Sequence, residues 1–190
     1  MAGLSPIFLI WLIAYAIPAF IAGTVVKVLP QDKEKLSTRN VVIMHTALFV
    51  SVFISQYFIH SSGLTFPLHL NDLSIAVYIL SVLLAGNLLG STGVWYGFSA
   101  LAQQLTMLSI AFLLLPVYPI WAVIFLIAPL YTYCHTLRVD NSLLRVGLFL
   151  VWGASSILLF SILPNIYIIA ALHTLFGSVL ISKSFLYPEA

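Results

Sequence analysis

The stretch FPLHLNDLS, residues Phe66–Ser74, carries the hydrogen-bonding side chains of His69, Asn71 and Asp72 at the edge of a long apolar run. Only 6% of the chain is charged, so this grouping is unusual within it. An amide or carboxylate oxygen at the start of a helix can accept hydrogen bonds from the unpaired N–H groups of the first turn. The carboxylate could also act as an acid or base towards a substrate. The two interpretations are compatible.

Further polar side chains lie inside later apolar runs, where each is costly and therefore a candidate for function. His173 falls about 12 Å from the outer end of the last predicted helix, and Gln103 and Gln104 fall near the middle of the fourth. With His69 and Asp72, these residues are predicted to line one polar chamber that opens outward. The alternative is that His173 and Gln103 only form hydrogen bonds between packed helices.

The composition determines the solvent in which these residues act. Of 190 residues, 62% are hydrophobic, and only seven Lys or Arg and five Asp or Glu residues are present. Soluble domains are about half apolar and a quarter charged, so these few charged side chains could not cover the surface of a soluble fold of this size. The lipid bilayer must therefore supply the solvent. No basic patch with interleaved aromatic residues is present, which argues against nucleic acid as a partner.

Apolar runs of about 20 residues, enough to cross a bilayer, occur seven times. The predicted fold is an all-α polytopic membrane helix bundle that forms one domain, residues 1–190, with seven transmembrane helices. Residues 68–115 as one helix would be about 70 Å long, so a turn is expected between Gly90 and Gly93. The helices are expected at 5–29, 40–60, 68–90, 93–115, 118–135, 143–162 and 165–184.

The basic residues predict the orientation of the bundle. The second, fourth and sixth loops contain no Lys or Arg, which predicts an N-terminus outside and a C-terminus inside. No basic residue precedes the first apolar run, so that run is interpreted as an uncleaved span, and the lack of a transit-like leader favours a prokaryotic plasma membrane. The basic residues, all on the inner side in this arrangement, are Lys27, Lys33, Lys35, Arg39, Arg138, Arg145 and Lys183.

Small residues at helical spacing predict close packing of helices. Gly86 and Gly90 form one pair four residues apart, and Gly93 and Gly97 form another. Such pairs let two helix backbones approach each other. Tight packing is therefore expected around the hairpin of the third and fourth helices.

The remaining candidates favour structure over chemistry. Pro18 and Pro129 are expected to kink the first and fifth helices. His45 and His135 are predicted near the cytoplasmic ends of the second and fifth helices, which is weak support for a metal or haem site. Cys134, the single cysteine, cannot form an intramolecular disulfide. Neither a metal nor a cofactor is expected.

Two classes of membrane protein are excluded by the placement of their key residues. GSTG at Gly90–Gly93 and HTLFG at His173–Gly177 resemble the Gly-x-Ser-Gly motif and distant histidine of rhomboid proteases. Thr92 stands at the serine position, however, near the cytoplasmic end of its helix, whereas the histidine is predicted in the outer half, beyond hydrogen-bond contact. A retinal protein needs a lysine in the middle of the last helix, and Lys183 lies at its end.

Two segments resemble the YwaF-type integral membrane proteins, FPLHLNDLS at Phe66–Ser74 and VWYGFSALAQQLT at Val94–Thr106. In that family a segment similar to LPLHLCDL precedes a helix with an aromatic–glycine pair and a glutamine a few residues on. The resemblance covers residues 66–106. Relatives in animals are lipid-active membrane enzymes, one of which carries an acyl group on the cysteine of this segment.

Asn71 stands at the position of that cysteine. Because an amide is not a usable nucleophile, acyl transfer of the cysteine type is not expected. The resemblance instead implies that His69, Asn71, Asp72 and Gln103 surround an outward-facing pocket.

Two classes of function fit these observations. The first is a non-catalytic membrane protein, a small transporter or an accessory or lipid-binding subunit, whose partners are membrane lipids and possibly other membrane subunits. The second is a membrane-embedded enzyme acting on a lipid or isoprenoid, with Asp72 and His173 as catalytic candidates and Gln103 orienting the substrate. The sequence contains no recognisable nucleophile, metal triad or phosphate loop, which favours the first class.

Overall fold

The computed structural model describes residues 6–28, 38–66, 72–136 and 143–183, which form helices joined by short turns and contain no β-strand. The predicted all-α helical class is therefore confirmed within these ranges. In chain order the helices α1 to α7 comprise residues 6–28, Thr38–Ser61, Asp72–Leu89, Ser91–Leu114, Ile120–Thr136, Leu143–Ile162 and Ile166–Ser182.

Three helices, α3, α4 and α6, are long and apolar enough to cross a membrane, judged by length and composition. Large apolar side chains are exposed on many helices, for example Phe53, Trp95 and Phe125, each more than 70% exposed. In water such exposure is unfavourable by about 25 cal/mol per Å² of apolar surface, whereas hydrocarbon solvates it. These properties are those of a helical membrane protein. Shorter apolar helices cover Pro6–Ile21, Thr46–Ser61, Ile120–His135 and Ile166–Ser182.

The chain divides into two compact units by its backbone contacts. Unit 1 comprises residues 1–66 and 106–158, and unit 2 comprises residues 67–105 and 159–190. Of the three points at which the chain passes from one unit to the other, 105/106 lies inside α4 and 158/159 inside α6.

The first helix of unit 1 contains a π-helical turn, Leu12–Ala16, just before Pro18. Proline has no N–H group, so the carbonyl four residues earlier, that of Ala14, loses its usual helical donor. The buried hydroxyl of Ser51 in α2 donates to this carbonyl instead. A serine of the neighbouring helix thus replaces the backbone bond that proline removes, which is how membrane helices tolerate proline.

Other hydrogen bonds also join helices within unit 1. Gln56 Nε2 of α2 donates to Ser109 Oγ at 2.8 Å. The thiol of Cys134 in α5 lies 3.2 Å from the carbonyl oxygen of Ala19 in α1. The cysteine therefore contributes to helix packing, and α5 continues as one helix through Pro129.

The hairpin of α3 and α4 in unit 2 turns at a single residue, Gly90. Its φ angle of +64° lies in the left-handed region, which glycine adopts at no steric cost. Gly93 N–H donates to the carbonyl of Gly90 at 3.0 Å and starts α4. The turn expected between Gly90 and Gly93 is therefore present, and it is tighter than expected.

Three glycines allow the two helices of this hairpin to lie close together. A Cβ atom at Gly97 would lie 2.7 Å from a methyl group of the facing helix, and one at Gly93 would overlap a backbone carbonyl. Only residues without a side chain permit such an approach. The close contacts pair Gly86 with Val94, Gly93 with Ala85 and Gly97 with Val82.

The last helix, α7, begins at a capped residue and packs along α3. The side-chain oxygen of Asn165 accepts hydrogen bonds from the N–H groups of Tyr167 and Ile168, at 3.1 and 3.2 Å. The Tyr78 and Tyr167 rings lie 6.1 Å apart. The buried cluster between them contains Tyr78, Val82, Ala170 and Ala171.

Replacement of Ser51 by Ala is expected to lower the free energy of unfolding by about 1–3 kcal/mol, because the Ala14 carbonyl is left buried without a donor. In a Pro18→Ala background the cost should shrink, since residue 18 then supplies a backbone N–H. Chemical unfolding of the four proteins in detergent measures both values. Ser55→Ala is the matched control, because its hydroxyl bonds within α2 to the carbonyl of Ser51. Equal costs in both backgrounds would contradict the interpretation.

Gly93→Ala is expected to destabilise the α3–α4 hairpin by about 2 kcal/mol or more, because its methyl group would overlap the Ala85 carbonyl. Gly147→Ala in α6 is the control, since a Cβ at that position meets nothing within 4 Å. That change should be neutral or slightly stabilising, as alanine favours the helix by up to about 1 kcal/mol. The thermal unfolding midpoints of the two variants test the difference.

Candidate functional site

The interior of unit 2 contains a hydrogen bond between the side chains of two helices. Nε2 of Gln104 in α4 lies 3.0 Å from Nδ1 of His173 in α7. Gln104 is completely buried, and His173 is 4% exposed. Polar groups buried in an apolar environment are costly unless they are paired, so each side chain stabilises the other. His173 lies near the middle of α7, about 10 Å from its first residue.

The pairing determines the form of the imidazole. An amide nitrogen only donates hydrogen bonds, so Nδ1 of His173 must accept, and the ring proton of the neutral imidazole resides on Nε2. The other amide atom, Oε1 of Gln104, is buried and has no hydrogen-bond partner among the described residues. A buried unpaired acceptor costs about 1–3 kcal/mol. The site therefore offers one strong acceptor that the described protein atoms do not use.

Tyr96 of α4 covers the histidine from one side. Its ring and the His173 ring are 6.0 Å apart and nearly perpendicular, the edge-to-face geometry favoured by aromatic pairs. The Tyr96 hydroxyl rests against Gly177, one turn beyond His173, at a position that any Cβ would occupy. Tyr96 is only partly buried, so it also reaches the surface. We refer to Tyr96, Gln104 and His173 as the polar centre.

The neighbouring hydroxyl groups are satisfied locally. Thr174 donates to the carbonyl of Ala170, and Ser81 donates to that of Tyr78, each within its own helix. This is the usual arrangement for hydroxyl groups in apolar helices. Ser178 differs, because its buried Oγ has no partner among the described residues.

The structure places the two catalytic candidates in different environments. Asp72 is exposed at the first residue of α3. His173 is buried near the middle of α7, where it bonds to Gln104. The acid–base pair of Asp72 and His173 stays a prediction.

The two glutamines have different roles. Gln103 points about 100° away from Gln104 around α4, and its Nε2 donates to Ser99 Oγ in the same helix at 3.1 Å. Gln104 is the glutamine whose amide bonds to His173. His69 and Asn71, the other predicted members of the outward chamber, lie outside the described residues.

The two histidines considered as ligands lie in unit 1. Nδ1 of His135 is 2.8 Å from the carbonyl oxygen of Tyr131. Its ring packs against those of Tyr131 and Phe149, with centroids 4.1 and 4.9 Å away. The side chain of His45 is outside the part that the structure describes. No group of three His, Cys, Asp or Glu side chains among the described residues could hold a metal ion.

Sequence reasoning missed Tyr96 and Gly177. A signal was present, because Gly177 follows His173 by four residues and so shares its face of the helix. What the sequence lacked was the partner of that face, because the contact joins residues about 80 positions apart.

Comparison of the chain with family models, curated proteins and solved structures finds no match.

A double-mutant cycle with Gln104→Met and His173→Leu tests the pairing at the polar centre. Each single change removes one partner, and the coupling energy between the two should be about 0.5–1.5 kcal/mol. Chemical unfolding in detergent supplies the four free energies. The same cycle with Gln103→Met and His173→Leu is the control and should give a coupling near zero. Equal coupling in both cycles would contradict the assignment of Gln104 as the partner.

Proposed function

We propose that the chain is a non-catalytic polytopic membrane protein, a lipid-binding subunit or small transporter that holds a neutral molecule at its polar centre. The observation that carries this proposal is the buried Gln104–His173 pair with its unused acceptor oxygen. The Gln104 amide is buried and held in place by its bond to His173. Its oxygen, which has no partner among the described residues, provides a specific hydrogen-bond acceptor for a ligand. A membrane lipid is the most abundant molecule with access to such a site.

The helix directions in unit 2 support a seven-span topology. The pairs Ala85–Gly93 and Val82–Gly97 show that α3 and α4 are antiparallel. The pairs Tyr96–Gly177 and Gln104–His173 show the same for α4 and α7, so α7 runs parallel to α3. If α5 and α6 both cross the membrane, the chain returns to the side where α7 must begin. The distribution of Lys and Arg then favours an outer N-terminus and an inner C-terminus. The prokaryotic plasma membrane stays a prediction.

The enzymatic alternative has less support. Membership of the YwaF-type proteins stays a prediction, carried by the Phe66–Ser74 and Val94–Thr106 segments. Asn71 in place of the family cysteine removes the nucleophile, and Asp72 is exposed at the start of α3 whereas His173 is buried and bonded to Gln104. Among the site residues predicted from the sequence, His173 and Gln104 form a buried pair that supports binding but not catalysis.

Native mass spectrometry of the protein released from mild detergent tests the proposal. The expected result is a retained, non-covalent lipid of defined mass on the wild-type protein. The polar centre predicts that Gln104→Met and His173→Leu lose this mass, whereas Asp72→Asn keeps it. A protein that carries no retained lipid would contradict the proposal. Loss of the mass in Asp72→Asn alone would favour the alternative site at the start of α3.

A further inference from the structure

The polar centre selects the charge of its ligand. Gln104 and the neutral imidazole of His173 carry no net charge, and neither α4 nor α7 contains an Asp, Glu, Lys or Arg residue. The only charged residue of α3 is Asp72, exposed at its first residue. An anionic group brought into the centre would have no counter-charge from these helices, and its desolvation costs several kcal/mol. The site therefore disfavours phosphate and carboxylate groups.

The free atom of the centre determines which neutral group can bind. Gln104 Oε1 only accepts hydrogen bonds, so the ligand has to supply a donor. A hydroxyl group is the smallest neutral donor that a membrane molecule commonly carries. The buried Ser178 Oγ, unpartnered among the described residues, is a second unused polar atom in the same unit. The donor requirement separates an alcohol from an ether or ester, whose oxygen atoms can only accept.

Tyr96 borders the centre on the side of the imidazole. Gln104 is completely buried, whereas Tyr96 is partly exposed and packs edge-on against the His173 ring. Its hydroxyl is accommodated by Gly177, where no Cβ atom opposes it.

We propose that the polar centre binds the hydroxyl group of a long-chain alcohol, which donates its hydrogen bond to Gln104 Oε1. This rests on the proposed lipid-binding function and narrows it to one headgroup. His173 is a positioning residue, because its bond to Nε2 fixes the amide with Oε1 available.

Three probes of equal chain length test the inference on the full chain in detergent at pH 9. They are 1-hexadecanol, its methyl ether, which keeps the oxygen but has no donor, and hexadecanoate, which is charged. Titration followed by native mass spectrometry gives the occupancy of each. The alcohol is expected to bind at least tenfold more tightly than the ether or the carboxylate, the effect of about one hydrogen bond.

Matched variants locate the contact. Gln104→Met keeps the size of the side chain but lacks the acceptor, so it should bind the alcohol about tenfold more weakly and no longer distinguish it from the ether. Gln103→Met, which alters the glutamine bonded to Ser99, should bind as the wild type does. If Gln104→Met does not fold, the comparison of alcohol with ether in the wild type decides alone.

The outcomes separate this inference from the proposed function. Equal binding of the alcohol and its ether, or preferred retention of the carboxylate, would overturn the alcohol assignment and leave a lipid-binding protein. An unchanged alcohol preference in a folded Gln104→Met protein would also overturn it. Wild-type protein that retains neither a native lipid nor any of the three probes would overturn both proposals.

Discussion

The structure depends on one constraint, which is that polar groups inside a hydrocarbon solvent must find their partners within the protein. Water cannot satisfy an N–H or C=O group at the middle of a bilayer, so each missing partner is costly. Pro18 creates such a defect in α1 by removing one helical donor, and the Ser51 hydroxyl of α2 corrects it at the Ala14 carbonyl. The same constraint explains why Thr174 and Ser81 bond to carbonyls of their own helices.

The pair of Gln104 and His173 is a response to this constraint that also creates an opportunity for binding. The amide satisfies the imidazole through its nitrogen, and its oxygen has no partner among the described residues. An apolar pair at these positions would leave no buried acceptor to satisfy. The acceptor left over by the polar pair is the basis of the proposed function.

The glycines of the hairpin position this centre. Gly90 allows α4 to reverse direction in one residue, and Gly93 and Gly97 let its backbone approach α3. Gly177 plays the corresponding part on α7, where it accommodates the Tyr96 hydroxyl. A polar pair can therefore form between helices because small residues elsewhere on those helices permit the approach.

The sequence by itself determined the class of the protein and its local geometry. A chain that is 62% hydrophobic and 6% charged cannot be solvated by water, and a run of residues 68–115 is too long for one span, so helices and a turn near Gly90 follow directly. These features depend on composition and on neighbouring residues. They need no knowledge of which helices touch.

Only the tertiary structure decided which polar residues meet. Gln103 and Gln104 are adjacent and chemically identical, and the orientation of α4 alone makes Gln104 the partner of His173 while Gln103 bonds to Ser99. Asp72 and His173 were compatible as a pair in sequence, whereas the structure places Asp72 at the exposed start of α3 and buries His173 against Gln104. Helix rotation and offset are set by packing between distant segments, because helices that are apolar on every side have no sequence period that fixes which face is buried.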